Sequence, residues 1–195
     1  MKYKVNEIFL SLQGEGFNQG KKVIFIRLAG CNLNCKWCDT CYENFTNYSD
    51  SEIIDEISKF NCKSVIITGG EPTIHNLEIL LEKLKQKNYW IGIETNGTIE
   101  IEHLKAQLDY ITISPKGVAA QKNANEVRIV NDKVSVGYLQ TIENSLNADN
   151  YYISPLDENN DMNIVSTLKL LKDINSQSKK QWRLSLQLHK IFGIK

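Results

Sequence analysis

Short apolar runs alternate along this chain with stretches whose apolar residues recur every three or four positions. The runs at Lys22–Leu28 (KVIFIRL), 64–68 (SVIIT), 90–94 (WIGIE) and 110–114 (YITIS) predict buried strands of the parallel type, which are covered on both faces and so carry few polar residues. Residues 127–130 and 151–154 predict two weaker strands. Between them, residues 51–60 predict a helix opened by Ser49, Asp50 and Ser51, with Ile53, Ile54 and Ile57 on its buried side. Residues 76–87 set Leu77, Leu80, Leu81 and Leu84 on one face, and residues 161–176 do the same with Ile164, Leu168 and Leu171. Residues 183–189 (RLSLQLH) alternate strictly, which turns Leu184, Leu186 and Leu188 one way and Arg183, Ser185, Gln187 and His189 the other. Strands alternating with helices predict βαβ units and a parallel sheet.

The polar and glycine-rich residues gather just after the strands. Gly69-Gly70-Glu71-Pro72 follows the second run, Thr95-Asn96-Gly97 the third and Ser114-Pro115-Lys116 the fourth. In a βα barrel all of these fall at the C-terminal rim, where active sites are built. A single such loop is an ordinary turn, since Gly, Pro, Asn and Ser dominate turns; four in register with a cysteine cluster point to a site.

That cluster lies after the first run, in Gly30-Cys31-Asn32-Leu33-Asn34-Cys35-Lys36-Trp37-Cys38-Asp39-Thr40. Three thiolates at this spacing suit three corners of a four-iron cluster, which ordinarily takes four cysteines, so one iron stays open to a small molecule. A tetrahedral zinc site using Cys41 as fourth ligand is the alternative, although zinc knuckles usually pair two C-x2-C units across a longer spacer. Otherwise Cys41 is a bystander, and isolated Cys62 is expected to be a small core residue.

The 195 residues predict one domain, with 23 basic and 23 acidic side chains and no formal net charge. That balance argues against general nucleic-acid binding. No apolar run approaches the roughly 20 residues that span a bilayer, and residues 1–7 lack a signal-peptide core. Five cysteines, three of them clustered, fit metal ligation in a reducing cytoplasm better than a disulfide framework.

The C-x3-C-x2-C spacing with an aromatic residue before the third cysteine resembles the radical S-adenosylmethionine (SAM) enzymes, and Gly69-Gly70-Glu71-Pro72 resembles their GGEP motif. More narrowly, Glu7 through Gly16, Phe25 through Thr40, the motifs at 68–72, 94–97, 114–116 and 154–157, and the segment 183–190 resemble the 7-carboxy-7-deazaguanine synthases of queuosine and 7-deazapurine biosynthesis. The resemblance implies an α/β fold, an incomplete TIM-type βα barrel of about six parallel strands, in a single radical SAM domain over 1–195. An N-terminal segment, 7–30, would bind substrate and a C-terminal segment, 182–195, would close the site.

It further implies ring contraction of 6-carboxy-5,6,7,8-tetrahydropterin to 7-carboxy-7-deazaguanine with loss of ammonia, begun by a 5′-deoxyadenosyl radical. The implied cofactors are a 4Fe-4S cluster on Cys31, Cys35 and Cys38, SAM, and Mg2+ on the Thr40 hydroxyl. The implied partners are the pterin, an electron donor such as flavodoxin or ferredoxin, and a second copy in a homodimer. Leu12, Gln13 and Gly14 would bind the pterin, Arg27 its carboxylate as a bidentate fork, and Thr95 would add a hydroxyl. Trp37, Cys38, Asp39, Gly69, Gly70, Glu71, Gly97, Ser114, Pro115, Lys116, Ser154, Pro155, Leu156 and Asp157 would line SAM, with Glu71 meeting its amino group. His189 would point inward with Gln187, and Lys195, where the chain ends, would approach substrate.

Two positions depart from the family pattern: Ser154 stands where glutamine is frequent, and Lys195 where proline is, so only the Lys195 carboxylate is expected to inherit a substrate role. Arg27 lies in an apolar run, and a charge there requires a ligand or an internal partner such as Glu15 or Glu94. By the same reasoning Thr40 could cap a turn and His189 could be a satisfied core histidine.

Overall fold

The computed structural model describes residues 1–38, 44–158 and 161–195. Asp39, Thr40 and Cys41, expected at the SAM and magnesium sites or as a bystander, therefore lie outside the described residues. In chain order the elements are β1 (Lys2–Leu12), β2 (Lys22–Leu28), β3 (Thr46–Ser49), α1 (Asp50–Ser58), β4 (Ser64–Gly69), α2 (Glu78–Gln86), β5 (Trp90–Thr95) and β6 (Tyr110–Ile113). They continue with β7 (Asn123–Asn131), α3 (Val136–Ser145), β8 (Asn147–Pro155), β9 (Asp157–Glu158), β10 (Asp161–Met162), α4 (Ile164–Asn175), β11 (Trp182–Leu184) and α5 (Leu188–Phe192). Each predicted strand and helix up to residue 176 is present, with ends shifted by a few residues. The helix expected at 51–60 starts where Ser49 closes a capping box with Glu52.

The main sheet runs β11-β8-β7-β6-β5-β4-β2-β1-β3. Strands β2, β4, β5, β6, β7, β8 and β11 are mutually parallel, while β1 pairs antiparallel with both β2 and β3. The parallel part thus has one strand more than the six apolar runs predict, because β11 is only three residues long. The apolar run of strand β1 is only three residues long, Ile8, Phe9 and Leu10, and only Tyr3 and Val5 are fully buried along the strand. A half-covered antiparallel strand of that kind lacks the signature of a parallel one.

Alternate residues of the parallel strands face opposite ways. One set, including Ile24, Ile26, Val65, Ile67, Ile91 and Ile93, is buried with α1 and α2 in the main core. The other set faces inward, where Val23, Phe25 and Ile66 pack with Phe9 and Trp90. Farther along the same face, toward the C-terminal ends, stand Arg27, Thr68, Glu94, Glu126 and Arg128. Cys62 precedes β4, at the opposite end of the sheet from the cysteine loop, and is partly buried against the main core.

The alternation at 183–189 holds only as far as β11. Beyond it Leu188 opens α5, because polar contacts to the β1–β2 loop take over: the Ser185 hydroxyl accepts from Gly16 N at 2.9 Å and Leu188 N donates to the Gly14 carbonyl at 3.1 Å. Among the described residues no helix is long and apolar enough to cross a membrane.

Candidate active site

The cysteine loop leaves the end of β2 and is fixed by its neighbours. Gly70 N donates to the Leu28 carbonyl and Glu71 N to the Gly30 carbonyl, so the β4 turn lies directly against the start of the loop. Farther round, Asn96 Nδ2 donates to Asn32 Oδ1 at 2.9 Å, and Asn32 Nδ2 to Thr98 Oγ1 at 2.7 Å. Cys31, Cys35 and Cys38 are thus presented at the rim by three adjacent strand ends.

Burial, together with the neighbouring Cys38 and Cys31, pushes the Cys35 thiol up despite Lys116, so Cys35 lies within electrostatic reach of both other thiols. Among the described residues no three Cys, His, Asp or Glu side chains converge on a single-ion site. Three soft donors on one open loop fit a bulkier iron–sulfur cluster.

Glu71 is fully buried, and its carboxylate is occupied. Oε1 accepts from Thr73 N, Thr73 Oγ1 and Thr95 Oγ1 at 3.0, 2.7 and 2.7 Å, and Oε2 accepts from Asn96 N at 2.6 Å. Three of these four donors fall on Oε1, so Oε2 keeps room for one more. In this structure both Glu71 and Thr95, expected at the SAM amino group and at substrate, join the β4 turn to the end of β5.

A cavity of about 540 Å3 opens at this rim, and Leu12, Gln13, Gly14, Arg27, His189 and Lys195 all line it. It joins both predicted segments, 7–30 and 182–195, at one place. Arg27 Nε donates to Glu7 Oε1 at 2.8 Å, so its internal partner is Glu7, directly opposite on β1, rather than Glu15 or Glu94. Its terminal nitrogens have no hydrogen-bonded partner among the described residues, which leaves the fork open. Lys195 Nζ lies 2.6 Å from Glu7 Oε2 and over the Phe9 ring, so its side chain, and not only its carboxylate, belongs to the cavity.

The deeper wall holds Arg128, which lies between three carboxylates: Nη1 to Glu15 at 2.7 Å, Nη2 to Glu94 at 3.0 Å and Nε to Glu126 at 2.8 Å. Burial opposes charge on Glu15, but Arg128 and the amide of Gln187 outweigh it and hold the carboxyl below its usual range. Burial likewise opposes the charge of Arg128, and the three glutamates reverse that. Sequence reasoning missed Arg128 and Glu126. Their signal was two charges spaced by two within an apolar strand, a period that puts both on one face.

A second cavity of about 460 Å3 borders Cys35 and is lined by Trp37, Pro115 and Lys116. Lys116 Nζ stands 4.7 Å from the Trp37 ring centre. Gly97 is buried behind this loop, its carbonyl accepting from Gln121 N and Ala120 N, and Ser114 N donates to the Thr95 carbonyl. At the end of β8, Ser154 is fully buried with its hydroxyl unpartnered among the described residues, as is Asp157 Oδ1. Ser154, Pro155, Leu156 and Asp157 do not line the second cavity. Pro155 and Leu156 are buried, and Asp157 faces Lys190 of α5 at 3.8 Å.

Comparison with known proteins gives these geometries a context. The Radical SAM superfamily profile matches residues 25–148. A 7-carboxy-7-deazaguanine synthase of Haemophilus influenzae is 46% identical over 201 residues, covering 98% of this chain and 94% of its own. One from Bacteroides thetaiotaomicron is 38% identical over 197 residues and covers both chains fully. The crystal structure of QueE from Escherichia coli superposes with a TM-score of 0.76 at 27% identity, covering 96% of this chain and 94% of that one.

Proposed function

Because the chain belongs to the 7-carboxy-7-deazaguanine synthases of the radical SAM superfamily, we propose that it catalyses a ring contraction in queuosine biosynthesis. The substrate is 6-carboxy-5,6,7,8-tetrahydropterin, the product 7-carboxy-7-deazaguanine, and ammonia leaves. When bound, the iron–sulfur cluster would supply an electron and SAM a 5′-deoxyadenosyl group for radical chemistry at C6 of the pterin. Cys31, Cys35 and Cys38 hold that cluster, and the cavity lined by Trp37, Pro115 and Lys116 receives the cofactor beside it.

One observation carries the reading: the larger cavity has a cationic mouth, at Arg27 and Lys195, and an acidic inner wall, at Glu15 and Glu94, and it opens at the same rim as the cysteines. Arg27 presents an open guanidinium fork suited to a carboxylate. Gln13, buried and fixed by Glu94 at 2.9 Å, and His189, packed on Gly14, line the same cavity, where the pterin ring would lie.

Magnesium, a hard ion suited to oxygen donors, would be held by the hydroxyl of Thr40, which lies outside the described residues. An electron donor such as flavodoxin or ferredoxin and a homodimeric state belong to the same reading. The exposed Val165 and Leu168 of α4 are surface that a second copy would cover.

The test is anaerobic incubation of reconstituted protein with SAM, reductant, Mg2+ and the carboxytetrahydropterin, with product followed by mass spectrometry. Formation of 7-carboxy-7-deazaguanine, lost on chelating Mg2+, is the expected result. A colourless zinc protein without turnover, or transfer of the radical to a partner polypeptide in place of the pterin, would overturn it.

A further inference from the structure

The three carboxylates around Arg128 are not equivalent. Glu126 is spent: Oε1 takes Arg128 Nε, and Oε2 takes Phe17 N at 2.9 Å and the Tyr110 hydroxyl at 3.0 Å. Glu15 gives one oxygen to Arg128 and the other to Gln187 Nε2 at 2.9 Å. Glu94 differs. Its Oε1 takes Gln13 Nε2 and Arg128 Nη2, but Oε2 has only the Thr68 hydroxyl, at a long 3.3 Å. Its side chain is also the most exposed of the three, at 26% against 14% and 1%, and it lines the larger cavity, as Glu126 does not. Three glutamates against one arginine leave this wall with a surplus of negative charge. A carboxylate oxygen short of donors in such a wall calls for a ligand that brings N–H groups.

The sheet sets how far that oxygen lies from the cationic mouth. Arg27 is paired with Thr68 across β2 and β4, and Glu94 follows Ile93, which is paired with Ile67, the neighbour of Thr68. Arg27 and Glu94 are therefore two strands apart on the inward face, roughly 10 Å between backbones. A ligand gripped at both ends needs an anion at one end and a donor edge at the other.

We propose that Glu94 reads the N–H edge of the substrate's 2-amino-4-oxopyrimidine ring, and that Arg128 is the positioning residue that aims it. This rests on the pterin reading above and adds to it a residue that decides ring specificity. Arg128, fixed on its other sides by Glu15 and Glu126, holds Oε1 of Glu94, and Gln13 holds the same oxygen, so Oε2, with only the long contact from Thr68, has room for the ligand. The carboxylate selects a 2-amino ring over its 2-oxo counterpart, which replaces a donor by a second acceptor facing it.

The experiment compares equilibrium binding of 6-carboxytetrahydropterin and the 2-oxo analogue 6-carboxytetrahydrolumazine to the cluster- and SAM-loaded protein, alongside product formation. Wild type is expected to prefer the pterin by at least about tenfold, the smaller end of what one unpaired polar contact decides. Glu94→Gln should reduce that ratio to near unity with iron content and SAM affinity unchanged. Arg128→Gln should lower the ratio in the same direction, and Arg128→Lys should restore part of it. A global packing role would weaken both ligands equally and leave the ratio intact. An unchanged ratio in Glu94→Gln, with product still formed by wild type, would overturn this inference alone. An intact preference without any deazaguanine product would overturn the proposed reaction alone. Should Arg128→Gln fail to fold, the Glu94→Gln ratio still decides.

Discussion

A methyl carbon placed on Gly70 would lie 2.3 Å from the carbonyl oxygen of Gly30 and 2.9 Å from the Cβ of Cys31. The first cysteine and the β4 turn are thus packed backbone to backbone, with no room for a side chain between them. The two backbone bonds from Gly70 and Glu71 to the β2 end depend on that closeness. The glycine here serves contact with the cysteine loop at least as much as contact with a ligand.

Gly70→Ala should therefore weaken cluster assembly before it alters anything else. Overpacking at a backbone contact costs roughly 1–3 kcal/mol, and the cheapest relief is to move the cysteine loop. The expected result is a folded protein, unchanged in far-ultraviolet circular dichroism, that takes up clearly less iron on anaerobic reconstitution. Full iron content in that variant would show that the loop tolerates the shift.

Arg27→Ala tests the cationic mouth. Its Nε is held by Glu7 while its terminal nitrogens have no hydrogen-bonded partner among the described residues, so the substitution would remove the proposed contact to the substrate carboxylate without emptying the core. Hydrogen bonds to charged groups are worth up to about 3 kcal/mol, which corresponds to roughly a hundredfold in kcat/KM. Iron content, SAM binding and melting temperature should stay at wild-type levels. Unaffected turnover would remove Arg27 from the site.

Much of this was legible in the sequence, and the exceptions share a cause. The parallel strands announce themselves because both faces are covered and their residues are apolar in succession, as in Lys22–Leu28. Strand β1 does not, because Asn6, Glu7, Phe9 and Leu12 line a cavity and, of its apolar residues, only Tyr3 and Val5 are fully buried. The same difficulty hid the inner wall. Arg27 could be picked out as a lone charge, but its pairing could not, because register between β1 and β2 decides that Glu7 stands opposite. Glu15 and Glu94, which sequence reasoning offered to Arg27, belong to Arg128, more than thirty residues from either. Glu71 shows the converse limit: a motif names the residue, and only the fold shows that its carboxylate ties Thr73 to Thr95 and Asn96.

Glu15 predicts a particular response to acid. Its carboxyl is held below the ordinary value of 4.5, since Arg128 and Gln187 outweigh the cost of burial. A depressed folded value means stability present above about pH 4.5 and lost as pH falls through the folded value. Melting temperature should accordingly drop on going from pH 7 to pH 4, and Glu15→Gln should shrink that drop while lowering stability at pH 7. A drop of equal size in the variant would place the acid sensitivity elsewhere.

The cysteines at the two ends of the sheet should behave oppositely. Cys35 sits within reach of Cys31, Cys38 and Lys116 at the rim, whereas Cys62 exchanges weak contacts with the Lys22 carbonyl and with Ser64 before β4. Cys35→Ala removes one of three thiolates and leaves a cluster with too few ligands, so the brown chromophore and about four iron atoms per chain should both be lost. Cys62→Ala removes a small, partly buried side chain, which is expected to cost about 1 kcal/mol of stability and no iron. Measuring iron and melting temperature on both variants separates the roles: a Cys62→Ala protein that loses its iron would mean that the thiol at the far end of the sheet takes part in assembling the cluster, against the placement of all three ligands on the loop after β2.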